Sequence, residues 1–280
     1  MPDKVITSDG IAYFSSWLLE RERAGATLEK YIREVRFLAD FLDGREITKQ
    51  LLLEYRESLR EKFKAVTVNG KLSALNAFLD CIGLAQCRLR LLRVQRKAFI
   101  EESRELNEEE YRRLLEAAKA DRNERLYHLM ITVCSTGIRI SELRFITVEA
   151  VSSGRAEISL KGKNRTVLLQ KQLCSRLLEY AGKNGISGGI IFRTRTGRPL
   201  DRSNVCHDMK KLCESAGVLP DKVFPHNLRH LFARSFYAVE KNLAYLADIL
   251  GHSSIETTRI YVAASASFYE KTLHRMRLII

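Results

Sequence analysis

No run of apolar residues in this 280-residue chain approaches the roughly 20 that a membrane-spanning helix needs. The opening residues, MPDKVITSDG, have no apolar centre of the kind an export signal carries, so a cytoplasmic protein without a membrane partner is expected. Six cysteines, at 81, 87, 134, 174, 206 and 213, form no CxxC pair and have no nearby histidine completing a zinc pattern. They read as reduced, mostly buried thiols. Proline is scarce at four residues and glycine stands at 15, which leaves room for long helices. Neither an internal repeat nor a low-complexity segment is present. What the chain does have is apolar content of 45%, enough for a core in each of two ordinary domains. It also has an excess of one charge: 47 Lys and Arg against 34 Asp and Glu give +13, which suits a polyanionic partner, nucleic acid foremost.

Four helical segments open the chain. Ser8 precedes apolar positions Ile11, Phe14 and Trp17 or Leu18, with Gly25 as a stop. Thr27 caps a second with Leu28, Tyr31, Val35, Leu38 and Leu42 on one face. Thr48 starts a third through Leu52, Tyr55 and Leu59, and Thr67 a fourth through Leu72, Leu75 and Leu79. Residues 1–87 are therefore expected to form a compact helical domain. Between Cys81 and Ile100 no acidic residue occurs, while Arg88, Arg90, Arg93, Arg96 and Lys97 do. Residues 88–103 read as a basic linker, either lying on phosphates or simply solvated. The remainder, 104–280, begins with a capping box at Asn107 and Glu110. It continues with a helix broken at Gly137, and two short strands, 156–160 and 165–169, around the turn Lys161-Gly162-Lys163-Asn164. Helical patterns follow over 172–180, 201–216, 225–240, 243–250 and 255–262.

Three boxes carry chemistry. In TGIRISEL, Arg139 follows the apolar helix that Gly137 interrupts. It needs a carboxylate or a phosphate as partner, and Glu142 lies three residues on. In PHNLRH, Pro225 suits a first helical turn, and His226 and Arg229 share a face. Such a pair can steady a phosphate and move a proton. In LGHSS, Gly251 leaves His252 at a turn, and Tyr261 follows nine residues later. A phenol is a poor nucleophile until cations and a base assist it. Taken singly, each box also has a plain structural reading: an Arg–Glu pair, a surface His and Arg, a packed tyrosine.

Taken in order, Arg139, Lys161, His226 with Arg229, His252 and Tyr261 resemble the tyrosine site-specific recombinases of the phage integrase family. The resemblance covers roughly residues 105–270. It implies a mainly α fold with a small β-sheet: an N-terminal four-helix, SAM-like core-binding domain and a C-terminal α+β catalytic domain. It implies that Tyr261 attacks the scissile phosphate, leaving a 3′-phosphotyrosine and a free 5′-hydroxyl. Arg139 and Arg229 would grip the non-bridging oxygens, with a hydrogen bond from His252. Lys161 would protonate the departing oxygen, His226 would assist Tyr261, and Glu142 would support Arg139. The ester is exchanged rather than hydrolysed, so neither metal nor cofactor is required.

The expected partner is double-stranded DNA with an inverted-repeat core site, bound by a homodimer and by a homotetramer in synapsis, with a Holliday junction between the two strand exchanges. Arg88, Arg90, Arg93, Arg96, Lys97, Lys163 and Arg165 are the expected DNA contacts. The hairpin LKGKNRTVLL departs from the family's usual GKGxKxRxVPL: Leu168 stands for proline, and Lys163 competes with Lys161 as the acid. The apolar tail, with Phe268, Tyr269, Leu273 and Met276, would dock on a neighbouring protomer or pack on its own domain. The compact two-domain layout is similar to Xer-type resolvases, invertases and small integrases. A type IB topoisomerase shares the Arg, Lys and Tyr chemistry, and a non-catalytic DNA-binding protein on the same fold is the other reading.

Overall fold

The computed structural model describes residues 4–94, 102–160, 163–262 and 274–276. The chain divides into two compact units, Met1–Arg96 and Lys97–Ile280. The first holds α1 (Ser8–Glu20), α2 (Gly25–Leu42), α3 (Lys49–Lys62) and α4 (Ala65–Cys81). Thr7 and Thr48 cap α1 and α3 by accepting from the Gly10 and Leu51 amides, which would otherwise lack partners. The expected caps at Thr27 and Thr67 are not used. Glu22, at φ 53, makes the left-handed turn after α1, so Gly25 opens α2 rather than ending α1. Likewise α4 begins at Ala65, two residues before Thr67.

The apolar stripes of these helices meet in one core of Phe14, Leu18, Val35, Leu38, Leu52, Leu72, Phe78 and Leu79, all fully buried. Each such side chain contributes roughly 1.5–3 kcal/mol. Phe14 meets Phe78 edge-on with ring centroids 5.2 Å apart. Across α2 and α4, buried Glu34 pairs with Lys71 at 2.6 Å. Two asparagines on α4 hold the segment that follows it. Asn76 donates to the Leu89 carbonyl and accepts from its amide (2.9 and 2.8 Å), and Asn69 does the same at Leu92 (2.9 and 2.7 Å). Leu89 is thereby buried, while Arg88, Arg90 and Arg93 point to solvent. The first part of the basic stretch thus packs on the helical unit, whose core reaches Leu89.

The second unit runs α5 (Glu108–Ala120), α6 (Glu124–Thr136), a 3-10 turn (Ile140–Phe145), α7 (Val148–Ser153), β1 (Arg155–Leu160), β2 (Lys163–Leu168) and α8 (Lys171–Lys183). It continues with α9 (Arg202–Lys211), α10 (Cys213–Ala216), α11 (Pro225–Glu240), α12 (Leu243–Leu250) and α13 (Ile255–Val262). The capping box at Asn107 and Glu110 is formed. The single expected helix over 201–216 divides at Leu212 into α9 and α10. β1 and β2 pair antiparallel from Arg155↔Leu168 to Leu160↔Lys163. Lys163 and Asn164 extend the ladder, so two residues separate the strands rather than four, because pairing satisfies more backbone groups than an open turn. The main core gathers α5, α6, α8, both strands and Leu228 and Leu231 of α11. A smaller cluster of Ala233, Leu246, Leu250 and Tyr261, bordered by Phe232, Phe236 and Tyr237, joins α11, α12 and α13.

Candidate active site

The site forms where the ends of α6 and α12 meet α11 and α13. Arg229 is its centre and is fully buried. Its Nη1 donates to the carbonyl of Gly137, the residue that closes α6, and its Nη2 donates to the carbonyl of Leu250, the last residue of α12, at 2.8 Å. Both acceptors belong to helix C-termini, whose last carbonyls lack helical partners and whose dipoles favour a cation. Two helix ends thus stabilise a guanidinium that burial alone would expel. Burial, with Arg139 nearby, brings its pKa down to about 10, so it stays charged at neutral pH, with the Tyr261 phenol acting in the opposite sense. Gly137, at φ +66, is required here: an added Cβ would overlap the Phe232 ring.

Arg229 Nη2 also lies 3.0 Å from Nε2 of His252. Since Arg229 can only donate, Nε2 accepts, and the imidazole proton belongs on Nδ1, which is 2.8 Å from Thr258 Oγ1. This tautomer is assigned from the hydrogen-bond partners. Burial, then Arg229, Arg139 and Arg165, push His252 down to about 4, so it is neutral at physiological pH.

Arg139 follows Gly137 and turns back onto Glu142. Its amide donates to Glu142 Oε2 and its Nη1 to Oε1, both at 2.8 Å. Arg165 of β2 donates Nη2 to Oε2, also at 2.8 Å, and Nη1 to the Ile249 carbonyl. Burial pushes the Glu142 carboxyl upward, but the Arg139 amide and the two guanidiniums outweigh it, and the group is held below the usual carboxylate range. The Arg165 stem fills the space over Gly251, where a Cβ would lie 2.9 Å from Nε. Gly251 is thus fixed both by φ +65 and by this stem. One arginine links the hairpin strand, the Arg139 box and the turn that carries His252.

Tyr261 is 3% exposed. Its ring lies nearly parallel to His252, centroids 5.6 Å apart, and meets His230 edge-on at 4.7 Å. Its hydroxyl is 3.4 Å from Nε2 of His226. His226 stands at the second residue of α11 with part of its surface open to solvent, and its pKa is lowered to about 4, first by partial desolvation of the ring and then by His230, Arg229, Arg139 and Arg202. At neutral pH it is therefore an uncharged base beside a phenol. Next to these groups is a cleft of about 650 Å³ lined by Arg139, Ser141, Arg202, Pro225, His226 and Arg229. The N-terminus of α11 opens there, so its positive dipole end and the cations Arg139, Arg202 and Arg229 face the same space. That is a place for a phosphate.

Arg139, His226, Arg229, His252, Tyr261 and Glu142 are thus brought together. Lys161, Arg96, Lys97 and the tail residues Phe268, Tyr269 and Leu273 lie outside the described residues, as does the side chain of Lys163. Arg165, expected on phosphate, is instead committed to Glu142 and Ile249, because a carboxylate buried at 4% exposure needs both cations. Sequence reasoning missed Thr258, whose signal was its place three residues before Tyr261 on the same helical face. It also missed the two carbonyls that hold Arg229, which leave no trace in residue identity. Among the described residues no helix is long and apolar enough to cross a membrane, and no three His, Cys, Asp or Glu side chains gather as metal ligands.

The sequence pattern of the phage integrase family matches residues 104–267. The chain is 26% identical over 289 aligned positions to tyrosine recombinase XerA of Pyrococcus furiosus, covering 100% of this chain and 98% of that protein. Two solved structures share the fold. One is the XerH site-specific recombinase bound to palindromic difH in a post-cleavage complex, with TM-score 0.72 and 19% identity over 98% of this chain and 90% of that one. The other is a lambda integrase tetramer bound to a Holliday junction, with TM-score 0.73 and 18% identity over 93% and 78%. With the match spanning more than half of its length and the Arg, His and Tyr boxes meeting around Arg229, the chain belongs to the phage integrase family of tyrosine recombinases.

Proposed function

We propose that this chain is a site-specific DNA recombinase that cuts and rejoins strands through a covalent bond between Tyr261 and a DNA 3′-phosphate. The observation that carries the reading is the 3.4 Å approach of the Tyr261 hydroxyl to neutral His226, beside an arginine held by two helix ends. His226 Nε2 takes the phenolic proton as the oxygen attacks phosphorus. Arg139 and Arg229 neutralise the charge that builds on the non-bridging oxygens, and His252 adds a hydrogen bond. Because His252 Nε2 accepts from Arg229 in the free chain, phosphate must displace that contact and draw a proton onto Nε2 before His252 can donate. Lys161, or in its place Lys163, protonates the departing 5′-oxygen. The same steps in reverse, with the 5′-hydroxyl of another strand, complete the exchange.

By likeness to the lambda integrase tetramer on a Holliday junction and the XerH complex on a palindromic site, the partner is duplex DNA with an inverted-repeat core. A homodimer occupies the site and a homotetramer the synapse. Arg88, Arg90, Arg93, Arg96, Lys97 and Lys163 supply phosphate contacts. The work is carried out in the cytoplasm, on the nucleoid, as integration, excision, inversion or dimer resolution.

The test is incubation with nicked duplexes drawn from the DNA flanking the coding gene, in which a cleaved strand loses the short downstream fragment that carries the free 5′-hydroxyl and cannot be resealed. A protein–DNA adduct surviving denaturation supports the reading. Retarded complexes on native gels with no adduct at any nick position would reduce the chain to a binding protein.

A further inference from the structure

One face of α11 makes contacts with residues that take no part in the chemical steps. Asn227, His230 and Arg234 lie at i, i+3 and i+7, and all three grip the consecutive residues Arg104, Glu105 and Leu106, just before α5. Asn227 Nδ2 donates to the Arg104 carbonyl at 2.7 Å. His230 Nδ1 lies 3.3 Å from Glu105 Oε1. Arg234 donates to Glu105 Oε2 and to the Leu106 carbonyl. Glu105 and His230 are both largely buried, at 17% and 19% side-chain exposure, so the contact is shielded from water. Burial pushes the Glu105 carboxyl upward, but His230 and Arg234 outweigh it, and the group is held ionised below the usual range.

The other side of His230 touches the nucleophile. Its ring meets Tyr261 edge-on at 4.7 Å and 89°, and meets His226 at 4.9 Å and 66°. Tyr261 therefore has two imidazole walls. His252 is fixed by Arg229 and Thr258, and His230 is fixed by Glu105. We propose that Glu105 is a positioning residue for Tyr261: by holding His230 Nδ1, it sets the ring edge against which the phenol packs, and so the distance from the hydroxyl to His226. This assignment rests on the recombinase reading for its consequence on rate, but not for its geometry. It also means that the register of residues 104–106 on α11 is felt at the nucleophile.

The experiment uses the full chain with 13C-labelled tyrosine rings, Tyr261→Phe identifying the Tyr261 signal. Glu105→Ala is compared with Glu105→Gln, which keeps an acceptor for His230. In the free protein, Glu105→Ala is expected to shift or broaden the Tyr261 signal, and Glu105→Gln to leave it near its wild-type position. On nicked duplex at saturating protein, Glu105→Ala is expected to slow adduct formation about tenfold or more, since misplacing a reacting group by about 1 Å costs up to ~100-fold. DNA affinity should stay within about twofold, and Glu105→Gln should recover most of the rate. A Tyr261 signal unmoved in Glu105→Ala overturns the proposal, whatever the variant does to folding stability. If wild-type protein forms no adduct while the signal still moves in Glu105→Ala and returns in Glu105→Gln, the recombinase reading fails and the positioning contact stands.

Discussion

Arg165 lies 2.8 Å from Glu142 at the oxygen that also receives the Arg139 amide. That single carboxylate holds the hairpin strand and the first arginine box together, and it is 4% exposed. Glu142→Ala leaves two cations facing each other without the carboxylate they share. The expected loss is ~3 kcal/mol of stability, the cost of breaking a buried pair from one side. Glu142→Gln, which keeps one acceptor oxygen but loses the charge and turns the other oxygen into a donor, should lose less. Urea denaturation of the two variants checks the order, and equal losses would mean that the acceptor left in Gln contributes nothing without the charge.

A second expectation concerns acid. His226 and His252 are each held near about 4, with desolvation, partial at His226, the largest cause and the neighbouring cationic groups adding to it. In the unfolded chain both titrate near ~6.5. Their folded pKa is the lower one, so the unfolded state takes up protons first as pH falls. Stability is complete above about pH 6.5 and declines progressively toward about pH 4. Half-buried His252 contributes more of this decline than exposed His226. Urea midpoints measured from pH 7.5 to 4.5 should fall in the wild type and fall less steeply in a His226→Gln/His252→Gln variant. Parallel slopes would show that these histidines are not held neutral.

Gly137 should tolerate no side chain. Gly137→Ala forces a left-handed residue and overlaps the Phe232 ring, for an expected cost of about 3 kcal/mol. Gly83→Ala is the control, with a similar φ of +75 but open space around the added Cβ, and should cost only about 1 kcal/mol. The difference between the two denaturation midpoints isolates the ring contact. Gly137→Ala as mild as Gly83→Ala would remove the close packing from the account.

Arg88, Arg90 and Arg93 are presented to solvent on a segment whose backbone Asn69 and Asn76 hold. Replacing each with Ala should lower the magnitude of the log affinity against log salt slope by ~0.9 for every phosphate that is no longer neutralised. A slope unchanged in the triple variant would take this row off the DNA.

The helical unit, the capping box and the last three helices were readable because their apolar periods are strong and local. The order of Arg139, His226, Arg229, His252 and Tyr261 was readable because the family's boxes are spaced along the chain. What was not readable depends on packing across long separations. Arg165 has the composition of a phosphate contact, and only its distance to Glu142 and Ile249 shows that it is already occupied. The caps of α2 and α4 were misplaced because Glu22 adopts a left-handed turn more typical of glycine, and because Thr67 lies inside a helix that burial of Val68 and Leu72 starts earlier. The hold of two helix ends on Arg229 is made by carbonyls, which every residue carries.

Tyr261 as the nucleophile is tested most directly by Tyr261→Phe on the nicked duplex, with any wild-type adduct digested and its nucleotide-bearing peptide identified by mass. Removing one hydroxyl from a packed ring leaves the fold and DNA binding in place. The variant is expected to bind as the wild type does and to form no adduct, and the wild-type adduct to map to Tyr261. An adduct that persists in Tyr261→Phe, or one that maps to another residue, would contradict that assignment.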